Sequence, residues 1–441
     1  MPFNLSNHVA TTTAMADLFD DRGILQAMLD FEAALARVQA RAGLIPHSAA
    51  EAITKAAVAD GFDTKKLAVR AFRAGTLAIP LVKMLTARVR QIDPPSAGYV
   101  HWGATSQDVT DTGLVLLLKR AHRLLAADHA RLASALLRLS NQHAATVMLG
   151  RTLLQSAPPV TFGLKAAGWF AGIQRGWSRV DGRFGEALLL QFGGASGTLA
   201  ALGTRGPEVM AALAVELELS DPGAPWHSYR DRLAALLAAC GVFTATLGKM
   251  ARDISLLMQN EISEVAEPGG DGRGGSSTMP HKRNPVACGF TLAAATRVPA
   301  LVAAFLTAMI QEQERGVSGL HAEWPLIKGV LQSTSAAVSS MAETAEGLSV
   351  DAQRMRTNID AARGTVFAEK AMMQLAAEMG RDAAHQALEE AVKKAALQEC
   401  RLSDVLTGVL SGKQLSELEL PEDYLGAAEI FRRRLLNDGE A

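Results

Sequence analysis

Apolar residues recur through the middle of the chain in alternating steps of four and three. Leu236, Cys240, Phe243, Leu247, Met250, Ile254 and Leu257 make one such series; Leu118, Ala121, Leu125, Leu132, Ala135 and Leu139 make another, interrupted by Asp128. This spacing keeps one stripe of a helix turned towards a partner over several turns. A helix from about Arg232 to Glu264 would extend about 50 Å at about 1.5 Å per residue, more than a compact single domain requires. Rods of that length pack in bundles, often shared between subunits. Strand-like alternation is scarce, and no glycine fingerprint for a nucleotide follows a strand. The pattern predicts an all-α protein.

Helix breakers divide the chain. Gln91-Ile92-Asp93-Pro94-Pro95-Ser96-Ala97-Gly98 interrupts the helical pattern, and the first long seam begins near Thr112. Gly347 to Arg354 is a weaker break. Beyond it, Ala361 to Lys394 reads as two shorter helices, and Leu420-Pro421 opens a last one. Three domains follow as the expectation: 1–110, a central bundle over 111–350, and 351–441. No internal repeat or low-complexity linker stands out.

Composition narrows the function classes. With 441 residues, 49% of them hydrophobic and 20% charged, the chain can bury large cores. Lys plus Arg number 44 and Asp plus Glu 45, a net charge of -1, so no overall field grips nucleic acid or an anionic membrane. Any anion must be held locally. The three cysteines, Cys240, Cys288 and Cys400, lie far apart without metal-ligand spacing, which fits a reducing compartment and argues against a zinc site or disulfide framework. Met1 to Ala10 lacks a basic patch followed by an apolar stretch, and no run of about eighteen uncharged apolar residues occurs. The expectation is a cytoplasmic protein, bound to neither membrane nor nucleic acid, with no metal.

The most informative segment runs from Gly269 to Pro285. Five glycines before two serines cannot hold a helix, so a mobile loop between two bundle helices is expected. Once closed, its backbone N–H groups, Lys282 and Asn284 can converge on a carboxylate while a serine hydroxyl shuttles a proton.

The run Gly275-Ser276-Ser277-Thr278-Met279-Pro280-His281-Lys282-Arg283-Asn284-Pro285 resembles the signature of the fumarase/aspartase superfamily. His101-Trp102-Gly103-Ala104-Thr105-Ser106-Gln107-Asp108 and Gly150-Arg151-Thr152-Leu153-Leu154-Gln155-Ser156-Ala157-Pro158-Pro159 resemble its two other segments, in the same order. The resemblance implies a three-domain helical fold with a long central bundle, a homotetramer, and active sites assembled from segments of different subunits. It implies no cofactor and a small polycarboxylate as substrate. Residue by residue, it gives Ser276 the role of loop proton donor. Lys282 and Asn284 would hold carboxylates and stabilise an enolate-like carbanion. Thr105, Ser106, Thr152, Gln155 and Ser277 would position the substrate, and His101 would line the pocket. A lone Thr-Ser before a helix is otherwise an ordinary N-cap.

Departures from the superfamily pattern bear on the chemistry. Where fumarases and adenylosuccinate lyases carry Thr-His, this chain has Thr152-Leu153. Where they carry a glutamate pairing with that histidine, it has Gly289. Releasing water or an amine requires an acid/base group at the departing atom, whereas a carboxylate attacking or leaving needs none. Leu190–Gly203, Gly248–Gln259, Gln311–Arg315 with His321–Trp324, and Tyr424-Leu425-Gly426 look like the bacterial cycloisomerase branch, which acts on 3-carboxy-cis,cis-muconate in protocatechuate catabolism. That likeness puts Arg315 at the pocket, where a guanidinium can pair bidentately with a carboxylate. Lys249 and Arg252 read as bundle ion-pair partners. The alternatives are a muconate with another anion such as sulfonate at carbon 3, an ordinary lyase such as adenylosuccinate lyase, and a structural protein on a lyase scaffold.

Overall fold

The structure is a computed structural model that describes residues 10–270, 274–275, 278–279, 281–418 and 420–437. Helix accounts for 70% of it and strand for 5%, so the all-α expectation holds. The chain forms two compact units, each discontinuous in sequence. The first comprises Met1–His129, Gly176–Leu247 and Phe290–Ser339; the second comprises Ala130–Arg175, Gly248–Gly289 and Ser340–Ala441. The unit boundaries fall inside the five longest helices: Ser106–Gln142, Phe162–Ala187, Asp231–Leu257, Val286–Ala308 and Gly319–Gly347.

In the first unit, the alternating stripe is the core. Leu236, Cys240, Phe243 and Leu247 are fully buried on the Asp231–Leu257 helix, as are Leu118, Ala121 and Leu125 on the Ser106–Gln142 helix. The Phe243 ring lies 6.0 Å from Trp177 and 6.5 Å from His129. The Asp21–Arg41 helix is capped by Asp20, whose carboxylate accepts from the Gly23 N–H at 2.6 Å, and buries Glu32 and Gln39 among its apolar residues. The break at Gln91 to Gly98 is real. The Ala78–Ile92 helix stops at Asp93, and Pro94–Tyr99 forms a 3-10 turn, because successive prolines donate no N–H to continue the helix.

In the second unit the stripe continues through Met250, Ile254 and Leu257, and through Leu132, Ala135 and Leu139, all buried. Lys249 pairs with Asp253 one turn further on, as an ion-pair partner should. Asp351 caps the Ala352–Ala361 helix through the Arg354 N–H at 2.8 Å, and Ala368–Met379 and Arg381–Gln398 are the two shorter helices expected. One element escaped the periodicity. Val147–Thr152 and Gln155–Thr161 form an antiparallel hairpin, anchored by Val147 and Leu149 in the core with Phe367, Leu375 and Leu402. Its two-residue turn is Leu153-Leu154, both left-handed at φ 51° and 64°. Tight hairpin turns ordinarily advertise themselves as Asn-Gly, and here nothing in the sequence does.

Two helices, Asp231–Leu257 and Val286–Ala308, are apolar and long enough to span a membrane by length and composition, each with a window of mean hydropathy 1.6. The first has 56% of that window buried and is a core helix; the second has 28% buried, leaving apolar surface uncovered in the single chain.

Phe243→Ala removes a fully buried ring from the seam, and is expected to destabilise the protein by about 3–5 kcal/mol. A thermal unfolding midpoint equal to that of the unaltered protein would contradict the packing described.

Candidate active site

The first long helix begins at Ser106, and its opening turn is tied by Asp108. This carboxylate is fully buried and accepts from the Thr105 N–H at 3.0 Å, the reciprocal half of a capping box. It also accepts from the Gly193 and Gly194 N–H groups at 2.9 Å each, from His227 Nε2 at 2.8 Å and from Gln191 Nε2 at 3.4 Å. One side chain thereby joins the 101–106 turn, the glycine segment at 193–194 and the loop that leads into the Asp231–Leu257 helix. Gly193 has to be glycine: a Cβ there would lie 2.7 Å from Pro225 and 2.8 Å from the His227 ring.

Beside Asp108, Gln107 orients Arg315. The Gln107 amide donates from Nε2 to Asp111 Oδ2 at 3.0 Å and to the His227 carbonyl at 2.8 Å. Its oxygen is left to accept from Arg315 Nε at 3.1 Å, while Arg315 Nη2 donates to the Gly194 and Ala195 carbonyls at 3.4 and 3.1 Å. Its Nε and Nη2 are therefore placed by amide and backbone oxygens, and no carboxylate among the described residues is hydrogen-bonded to it. Underneath lies Arg230, wholly buried and bonded to Asp111 at 2.8 and 2.9 Å and to Glu323 at 2.5–3.1 Å. Burial opposes the Arg230 charge, but the two carboxylates outweigh it and hold the guanidinium protonated. Burial pushes the Glu323 carboxyl above its usual range despite Arg230, and Gln311 Nε2 donates to it at 2.7 Å.

His101 sits at the head of the same turn with a left-handed backbone, φ 61°. Its Nδ1 lies 2.6 Å from Glu32 Oε1. Burial would lower the imidazole's pKa, but attraction to Glu32 and the hydrogen bond between them prevail and raise it.

In the second unit, Thr152 and Gln155 face each other across the exposed end of the hairpin. Arg151 fixes that end by a two-pronged ion pair with Glu264, at 2.7 and 2.9 Å, and Asn358 completes the carboxylate's shell at 2.8 Å. Lys282 is exposed, its backbone N–H bonded to the Met279 carbonyl at 3.0 Å, and Asn284 is half-buried with its N–H on the Gly274 carbonyl at 2.9 Å. Glu267 accepts from the Ala287 and Cys288 N–H groups at 3.1 and 2.8 Å, starting the next helix. Ser276 and Ser277 lie outside the described residues. Leu153 is 96% exposed, and neither its alkyl side chain nor Gly289, which has none, can give or take a proton.

The structure thus gathers His101, Thr105, Ser106 and Arg315 in the first unit, and carries Thr152, Gln155, Lys282 and Asn284 in the second. Sequence reasoning did not single out Glu32, Gln107, Asp108, Asp111, His227, Arg230 or Glu323 as site residues. For Gln107, Asp108 and Glu323 the signal was their place inside family-like segments; Glu32 gave none. Among the described residues, no three of His, Cys, Asp and Glu are grouped to hold a metal ion.

Asp108→Asn turns one acceptor oxygen into a donor facing donors. It is expected to cost about 1.5–3 kcal/mol and to lower turnover by loosening the 101–106 turn. Unchanged thermal stability and unchanged kcat/KM would refute the hub role.

Sequence comparison agrees with this architecture. The family described as Lyase matches residues 7–300. A 3-carboxy-cis,cis-muconate cycloisomerase of Bradyrhizobium diazoefficiens is 46% identical over 98% of this chain and 97% of its own length. One from Pseudomonas aeruginosa is 47% identical over 97% of this chain and 94% of its own. The crystal structure of the 3-carboxy-cis,cis-muconate lactonizing enzyme from Pseudomonas putida superposes with a TM-score of 0.93, at 45% identity, covering 99% of both chains. With a family match over most of its length and full-length relatives at this identity, the chain belongs to the fumarase/aspartase family of lyases.

Proposed function

We propose that the chain converts 3-carboxy-cis,cis-muconate to 4-carboxymuconolactone, in the protocatechuate branch of aromatic catabolism. What carries this reading is the near-complete alignment with cycloisomerases at 45–47% identity. The chemistry agrees with it. One substrate carboxylate attacks the far carbon of a conjugated double bond, the displaced electron pair passes into the adjacent carboxylate as an aci-anion, and the α-carbon takes a proton. Nothing leaves, so no acid is needed at Leu153 or Gly289. Intramolecular attack also supplies its own proximity.

In this reading Arg315, placed by Gln107 and two carbonyls, stabilises the aci-anion, and Lys282 and Asn284 hold carboxylates. Ser276 delivers the proton to carbon. Thr105, Ser106, Thr152, Gln155 and Ser277 fix the pose, and His101 lines the pocket. The enzyme works in the cytoplasm without cofactor, as a homotetramer of three-domain chains, 1–110, 111–350 and 351–441, with shared sites. The apolar Val286–Ala308 helix, with only 28% of its most apolar window covered in one chain, supports association through that surface.

The test is ultraviolet loss of the conjugated diene on adding purified protein to 3-carboxy-, 3-sulfo- and unsubstituted muconates. Turnover of the carboxy compound is expected, with no conversion of fumarate to malate and no cleavage of adenylosuccinate. Robust turnover of either of the latter would overturn the assignment. Ser276→Ala is expected to lose about a hundredfold or more in kcat, and Lys282→Met at least as much. Dialysis against a chelator is expected to leave the rate unchanged; recovery only on adding a divalent metal would contradict the metal-free mechanism.

A further inference from the structure

The Asp21–Arg41 helix buries two polar side chains on one face, Glu32 and Gln39, each 1% exposed. Both are spent on the His101–Gly103 turn. Gln39 Nε2 donates to the Trp102 carbonyl at 2.7 Å, and Glu32 Oε1 meets His101 Nδ1 at 2.6 Å. The turn needs such ties, because His101 at φ 61° is a left-handed residue that is not glycine, a conformation that costs on the order of 1–3 kcal/mol.

The second Glu32 oxygen is the informative one. Oε2 is buried and has no hydrogen-bond partner among the described residues, and the side chain as a whole is 0% exposed. A buried carboxylate with a single hydrogen bond is costly unless a charge balances it. His101 is the cation on hand. With Nδ1–H donated to Glu32, the proton on Nε2 is the one remaining, on a ring that is not fully enclosed, 16% of its side chain being exposed. The same turn abuts the loop that holds Arg315: a Cβ on Gly194 would lie 3.1 Å from the Gly103 carbonyl, and the Gly194 carbonyl itself accepts from Arg315. Two cations on adjoining loops of one unit suit a substrate with three carboxylates.

We propose that Glu32 is a positioning residue for the lactonisation, holding His101 as an imidazolium that offers Nε2–H to a substrate carboxylate, a second fixed cation beside Arg315. The proposal rests on the reading of the chain as a carboxymuconate cycloisomerase with His101 in its pocket. Glu32 touches no substrate and acts through His101 alone. Replacing it by glutamine keeps the shape and the hydrogen bond but removes the charge that keeps the imidazole cationic.

The test is a double-substitution cycle on the assembled enzyme, comparing E32Q, H101N and the pair by steady-state kinetics on 3-carboxy-cis,cis-muconate. E32Q is expected to raise KM about tenfold or more with a smaller change in kcat, and to change kcat/KM less than twofold once H101N is present. E32D, which restores the charge, is expected to recover most of the loss. A merely structural Glu32 would lower kcat/KM by the same factor in both backgrounds and would overturn the proposal, as would an H101N enzyme with unaltered KM. Should E32Q fail to fold, E32D and H101N still decide: full activity in H101N refutes the role. If the unaltered protein turns over no 3-carboxymuconate, the assigned function fails first and the proposal falls with it.

Discussion

A single buried carboxylate, Asp108, is the constraint on which the candidate residues of the first unit depend. It meets donors from three stretches of chain, up to 119 residues away from it in sequence, and it does so without exposure to water. A carboxylate in such surroundings is stable only if its lone pairs are filled, so the geometry of those donors is fixed together. Thr105 and Gly193 cannot shift independently of His227. The arrangement converts a loop, a glycine segment and a helix start into one rigid surface from which Arg315 and His101 project.

Below that surface the charges are layered. Arg230 sits between Asp111 and Glu323 with no exposure, and breaking such a triad by removing one member leaves an unpaired buried charge costing about 3–5 kcal/mol. Replacing all three by apolar residues would cost far less. The triad therefore contributes less through net stability than through direction: it orients Gln107, whose remaining oxygen orients Arg315. Charge buried in the scaffold is used to place charge that stays available for an anion.

How much of this was legible in the sequence differs by element. The long helices were readable because Leu236 to Leu257 repeat at a spacing only a helix satisfies, and every member of the series is buried. The candidate residues were readable because they sit in contiguous runs with a known likeness. Glu32 was not, because a glutamate inside an apolar helix looks the same whether it faces water or a histidine 69 residues away. The hairpin was also hidden. Its strands include Pro158 and Pro159 and a register shift after Leu149, which erase the two-residue alternation, and its turn lacks the usual residues.

That turn has a consequence for how the chain could be altered. Leucine in the left-handed region costs about 1–2 kcal/mol, and Leu153 and Leu154 both adopt it while standing 96% and 73% exposed. Directed evolution for heat tolerance alone would find Asn-Gly here early, relieving the strain and removing two greasy side chains from the surface. It would also strip the apolar tip that flanks Thr152 and Gln155. The hairpin tip is thus where gains in durability and the local environment of the Thr152 hydroxyl and Gln155 amide, proposed to fix the substrate's pose, are set against each other.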